Sequence, residues 1–149
     1  MSTIKQVVGT RTALTVTSLS TLASATYVAS AAYVCTTNAP MDVIVEVDAA
    51  TTNAPAGNKQ ISVFLSDSLD GTNFRSGPTS LTSTVDEANL RFLGTLPMAT
   101  SAVTQIGTFS VLAALGYVPA QFKVIIKNDL GVALTSGAVF TAEISNTVV

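Results

Sequence analysis

Apolar and polar residues alternate with a period of two from the first quarter of the chain to the last, and turn-forming residues separate the runs. This pattern predicts β-strands with one buried face. The clearest run is Asp42 to Asp48, where Val43, Val45 and Val47 share one face and Asp42, Ile44, Glu46 and Asp48 share the other. Gln60 to Ser66 alternates in the same way, with Ile61, Val63 and Leu65 inward, after a Thr-, Asn-, Pro- and Gly-rich loop from Thr51 to Lys59. The last third is the most regular. Phe122, Val124 and Ile126 oppose Lys123, Ile125 and Lys127, and Phe140, Ala142 and Ile144 oppose Val139, Thr141 and Glu143. Asn128-Asp129-Leu130-Gly131 turns the chain between these two runs, in a connection long enough for a hairpin or for a corner between sheets.

Further strands are expected over Arg11 to Thr17, Thr26 to Thr37, Leu90 to Leu96 and Thr104 to Leu112, with Pro97 ending the third. Helix is expected only as single turns near Ser110 to Leu115 and Val85 to Leu90. The total of about eight antiparallel strands in one domain predicts two packed sheets, an all-β sandwich of jelly-roll-like or immunoglobulin-like type. Residues 11–149 form this single domain, and residues 1–10, which precede the first strand and are polar, are expected to be an N-terminal arm.

Composition changes the picture in one direction. The 149 residues are 48% hydrophobic and only 11% charged, with no His, no Trp and one Cys. The seven Lys and Arg are scattered, and no basic patch that would bind nucleic acid is formed. Thr12 to Met41 and Phe92 to Phe122 carry no charged side chain, so either Thr, Ser, Asn and Gln solvate these stretches or another chain covers them. Lys5 and Arg11 before a weakly apolar stretch superficially resemble a signal peptide, but Leu14, Val16 and Leu19 alternate with Thr and Ser as in a strand. No stretch has the length and apolarity of a transmembrane helix.

Candidate chemistry is sparse. Without His, neither a Ser-His-Asp nor a Cys-His nucleophile has its base, and with one Cys a zinc site lacks ligands. Cys35 is expected as a small apolar core residue, free of any disulfide within the chain and compatible with a reducing compartment. Asp42, Glu46 and Asp48 share one strand face, which suits a glycosidase pair in principle and a solvent-facing acidic strip in practice. The strip is expected to pair with Lys123 and Lys127 across a subunit boundary, which makes Lys5, Arg11, Asp42, Glu46, Asp48, Lys123 and Lys127 the candidate interface. Asp67, Asp70 and Asn73 around Gly71 depart from calcium-loop spacing and read as a turn. Asp86-Glu87 reads as a helix start. The nine aromatic residues read as core rather than as a sugar-stacking platform. No catalytic residue, metal or cofactor is expected.

Several segments together resemble small β-sandwich virion proteins of tailed bacteriophages: Val63-Phe64-Leu65-Ser66-Asp67-Ser68-Leu69-Asp70-Gly71-Thr72-Asn73-Phe74, Leu93-Gly94-Thr95-Leu96, Leu115 to Val124 with its Val-Pro-x-x-Phe strand, and Asn128 to Leu134. The resemblance implies a structural protein without enzymatic activity, a capsid decoration (cement) protein that binds the major capsid protein of an assembled head and links capsomers. It would be made in the host cytoplasm, carried on the virion surface, and self-associate, with a trimer favoured. The alternatives are a tail or head-fibre component and an adhesion or carbohydrate-binding module. No contact with membrane is implied.

Overall fold

The computed structural model describes residues 2–78, 80–82 and 87–148. Among these residues eleven strands are present: β1 (Ile4–Val8), β2 (Thr12–Leu14), β3 (Tyr27–Ala29), β4 (Tyr33–Val34), β5 (Asp42–Ala50), β6 (Gln60–Ser68), β7 (Ser80–Thr82), β8 (Arg91–Pro97), β9 (Gln105–Ser110), β10 (Gln121–Asn128) and β11 (Ser136–Val148). The one α-helix among the described residues, α1 (Val111–Leu115), is a single turn that starts at Ser110, whose side chain accepts the Ala113 amide, and ends at Gly116 in the left-handed region.

The strands form two antiparallel sheets. Sheet I runs β1-β11-β5-β9, with β2 also on β11, and sheet II runs β7-β3-β10-β6-β8, with β4 also on β10. Four pairings are nested along the chain: β2 with β11, β3 with β10, β5 with β9 and β6 with β8. Such nesting is a long antiparallel hairpin rolled into two layers, so the sandwich is jelly-roll-like rather than immunoglobulin-like. Three departures raise the strand count over the sequence expectation. The segment Thr26 to Thr37 divides into β3 and β4, and β1 and β7 are additional. The division follows from Ser30, whose hydroxyl accepts the Val124 amide at 2.9 Å where a continuous strand would use its backbone. Gln121–Asn128 and Ser136–Val148 lie in different sheets, so the turn between them is a corner and not a hairpin.

The core lies between the sheets where the inward faces meet. Val43, Val45 and Val47 of β5 and Val139 of β11 pack toward Ile61, Val63 and Leu65 of β6 and Phe122, Val124 and Ile126 of β10, all fully buried. Leu19, Leu22, Leu130 and Leu134 belong to the same cluster. The Leu134 amide donates to Leu22, and the Thr135 amide donates to Ala50 at the end of β5. Cys35 is buried in this cluster, as its composition implied, and burial pushes its thiol up to about 11, with the Glu143 carboxylate adding to the effect.

A backbone contact holds the loop after β5 against the corner. The amides of Ala56 and Gly57 both donate to the Leu130 carbonyl at 2.8 Å. Gly131 there has φ +76°, and a Cβ on it would stand 2.7 Å from the Gly57 nitrogen. Gly131→Ala combines left-handed strain with a clash against backbone that has no rotamer to yield. It is expected to cost at least about 2 kcal/mol in a denaturant titration, whereas the same change at Gly116, open on all sides, costs only the strain.

The two sheets differ in what covers their outer sides. On sheet II the connection between β6 and β8 folds back over the strands. Tyr27, Phe64, Leu90 and Ile125 form a second buried cluster there, Leu90 leans on Gly77, and Tyr27 donates its hydroxyl to Glu87. On sheet I, among the described residues, only α1 plays that part, over Asp42 at one end of β5.

Candidate functional site

The exposed outer side of sheet I is assembled by register. On β11 the residues facing outward are Ala138, Phe140, Ala142, Ile144, Asn146 and Val148, because Val139 and Thr141 between them are buried. Pairing places Ile44, Glu46 and Asp48 of β5 beside Ala142, Phe140 and Ala138, and Ile106 of β9 beside Asp48. On the other flank Val8 pairs with Ile144, Gln6 with Asn146 and Ile4 with Val148. The result is one sheet surface, mostly apolar and amide in character, that continues past the sandwich as a two-stranded ribbon. Ile4, Val8 and Val148 on the ribbon are 67%, 65% and 68% exposed, and Ile106 at the opposite flank is 60% exposed.

One cation and two carboxylates share this surface, so the cluster keeps one carboxylate in excess. The Arg11 guanidinium lies 3.1 Å over the Phe140 ring, donates to Glu46 at 2.6 Å and donates to Asp48 at 2.9 Å. Burial and the neighbouring Glu46 carboxylate together push the Asp48 carboxyl up, against the pull of Arg11. A groove of about 240 Å³ runs beside the cluster, lined by Val8, Gly9, Arg11, Ile44, Glu46, Phe140, Thr141 and Ala142. A partner seated here meets an apolar floor and one ion cluster with a carboxylate in excess.

The seven residues expected at an interface do not come together. Arg11, Glu46 and Asp48 form the cluster just described, so the cation for the acidic strip comes from the same chain. Lys5 sits on the ribbon, on the side opposite to Ile4 and Val8. Lys123 and Lys127 are on sheet II, where Lys123 stands 4.4 Å over the Phe74 ring and Lys127 pairs with Glu87 at 3.0 Å and with Asp129 at 3.5 Å. Within the chain β5 and β10 belong to different sheets, so the strip and these two lysines do not meet there. The placement of Asp42 is corrected. It is buried, and its carboxylate accepts the Val43 amide at 2.7 Å, the Leu112 amide at 2.8 Å and the Ser110 hydroxyl at 2.6 Å. This carboxylate ties α1 to β5 and is not part of an exposed strip.

The segment expected to be an arm contains a strand. Ile4–Val8 is paired with β11 along its whole length, yet every one of its side chains is exposed. Of the aromatics expected in the core, only Tyr27, Phe64 and Phe122 are buried, Phe92 is exposed, and Phe140 faces outward beneath Arg11. The outward-facing Phe140, Ile44, Ile106 and Val8 were not singled out by sequence. Their signal was present in the alternation, but a period of two does not say which face is outside.

The carboxylates near Gly71 behave as turn and anchor groups. Asp70 accepts the amides of Thr72 and Asn73 at 2.8 Å, and these bonds, with those from Asn73 and Ser68 side chains, hold its carboxyl far below the ordinary range. Asp67 is buried and accepts hydrogen bonds from Arg75 and from the Tyr117 hydroxyl at 2.6 Å. Burial pushes the Asp67 carboxyl up, but Tyr117 and Arg75 outweigh it and the group is held below the usual value. A depressed carboxyl contributes stability that is present above the unfolded value near pH 4 and is lost as pH falls through the folded value. The thermal midpoint is therefore expected to drop below about pH 4. Asp67→Asn is expected to lower the midpoint at pH 7 by a few degrees, about 1–2 kcal/mol because Arg75 is partly solvated, and to flatten the acid limb in calorimetry.

Of the expected helix start, Asp86 lies outside the described residues, and Glu87 instead accepts Tyr27 and Lys127. Among the described residues no group of three or more His, Cys, Asp or Glu is placed to hold a metal, and no helix is long and apolar enough to cross a membrane. No protein-family model matches the chain, and no curated protein matches it.

Proposed function

We propose that the chain is a structural virion protein, a decoration protein of the capsid that works by docking on assembled shell protein and bridging neighbouring capsomers. The observation that carries this reading is the asymmetry of the sandwich: sheet II is covered by its own connection, while sheet I presents a largely uncovered apolar surface whose charges, among the described residues, are confined to the Arg11, Glu46 and Asp48 cluster. Such a surface suits a contact with another protein that buries the apolar area and brings a donor or cation to the spare carboxylate. Jelly-roll sandwiches serve viral shells and lectins alike, so the fold supports the reading by analogy only. The resemblance of the segments from Val63 to Leu134 to phage virion proteins points the same way.

The proposal is tested on particles. The protein is expected at fixed stoichiometry in gradient-purified virions from cells that make it, with specific antibody labelling the heads. Phe140→Glu, which sets a third carboxylate beside Glu46 and Asp48 with Arg11 as their shared cation, is expected to remove it from particles while leaving its thermal midpoint within a few degrees. Absence from particles, or label confined to tails, overturns the head assignment. The second result would favour a tail component instead.

A further inference from the structure

In the ribbon formed by β1 and the last residues of β11, one edge of β1 is unpaired among the described residues. The Gly9 amide donates to the Glu143 carbonyl at 2.7 Å, and this bond sets the alternation of the ladder. Val7 and Lys5 then exchange bonds with β11, so the N–H and C=O groups of Ile4, Gln6 and Val8 point away from it. β1 pairs with β11 without a register shift, and its sequence IKQVV contains no proline, so two common devices that blunt an edge strand are missing. A two-stranded ribbon with both faces in water is also marginal by itself.

We propose that the occupant of this edge is β1 of a second copy of the chain, added antiparallel about a two-fold axis at Gln6. The sequence is self-complementary in that register. Ile4 lies opposite Val8 of the second copy at both ends, Gln6 lies opposite Gln6, and Lys5 lies opposite Val7 rather than opposite another lysine. Lys5 is then on the same side of the sheet as the second copy's Glu143, with opposite charge. Pairing β1 with the open side of β11 in a neighbour fits less well. The Met41 amide already donates to the Ile144 carbonyl there, so only Asn146 and Val148 are left to bond. Two-fold pairing joins sheet I of both copies into one continuous sheet and places their uncovered outer faces side by side. It closes after two copies, unlike the trimer that the sequence favoured.

The contact is small. A strand of five residues is about 16 Å long, and its edge buries well under the ~800 Å² per partner of a stable dimer. Association is therefore expected to depend on concentration and to be populated at about 0.5 mM or on a crowded surface. It does not depend on the virion reading and is tested with the free protein.

Two variants test it. Gln6→Pro removes an N–H that the chain itself does not use, so the thermal midpoint is expected to stay unchanged while sedimentation shifts from a dimerising to a monomeric species at every concentration. Gln6→Cys is expected to form a disulfide-linked dimer under mild oxidation at least about tenfold faster than Lys5→Cys, because only position 6 meets its own copy within disulfide reach. Wild-type protein that stays monomeric at about 0.5 mM, Gln6→Pro protein that associates like wild type, or equal crosslinking at positions 5 and 6 each overturns the proposal. Fast crosslinking of Gln6→Cys to an Asn146→Cys partner in place of itself would overturn the two-fold arrangement in favour of a head-to-tail ring.

Discussion

Phe122→Ala is expected to lower the unfolding free energy by about 3–5 kcal/mol and the thermal midpoint by about 10 °C or more, read by denaturant titration and calorimetry. Phe122 is fully buried on β10, the strand that bonds to β3, β4 and β6, and its ring lies 5.2 Å from that of Tyr33. Truncation opens a void at the strand where sheet II is most heavily paired, so relaxation is limited and the cost falls in the upper part of the range for aromatic truncations. Phe122→Leu, which keeps most of the volume, is expected to recover more than half of the loss. If Phe122→Ala cost less than about 1 kcal/mol, the inward face assigned to β10 would be wrong, and the layering of the sandwich with it.

The layering itself was legible because long strands with one buried face write their period into the sequence. Val43, Val45 and Val47, and likewise Ile61, Val63 and Leu65, are buried where alternation places them. Which sheet each strand joins was not legible, since alternation carries no information about neighbours. That is why Glu46 and Asp48 were matched with Lys123 and Lys127 across a boundary, although Arg11, close to β5 only in space, holds them. Short strands failed for a different reason. Ile4–Val8 has too few residues for a period to register, and its partner lies at the opposite end of the sequence. Asp42 was read as exposed because its position in the strand faces outward. Its burial comes from α1 folding back across the strand, a tertiary event that the local pattern does not record. The candidate surface was thus half visible: the lack of charge in two long stretches indicated either cover by another chain or solvation by uncharged polar residues, and most of both stretches is exposed or half-buried, with Ile106 on the outer side of sheet I.

Asn128→Asp is expected to be the most damaging change of equal shape in the chain. Asn128 is fully buried where β10 ends, and its amide uses every group it has: the nitrogen donates to the carbonyls of Leu22 and Val132 at 2.8 Å each, and the oxygen accepts the Leu130 amide at 2.9 Å. These bonds gather the segment after the 3-10 turn (Leu19–Thr21), the corner and the end of β10 at one point. An aspartate there turns a two-hydrogen donor toward two carbonyl oxygens into a second acceptor, and if ionised it is a buried charge without a cation. The expected loss at pH 7 is about 4 kcal/mol. The pH dependence identifies the cause. The new carboxyl has a folded value raised above the unfolded one, so the stability it can offer is present in acid, where its O–H donates to one carbonyl, and is lost as pH rises through the raised value. Wild-type protein loses stability below about pH 4 through Asp67, so the difference between wild type and variant is expected to narrow steadily as pH falls from 7 to 4. Asn128→Ala, which removes the same bonds without adding an ionisable group, is expected to show no such narrowing. If the two variants had parallel pH profiles, the carboxyl at this position would not be facing Leu22 and Val132, and the corner would be closed by some other contact.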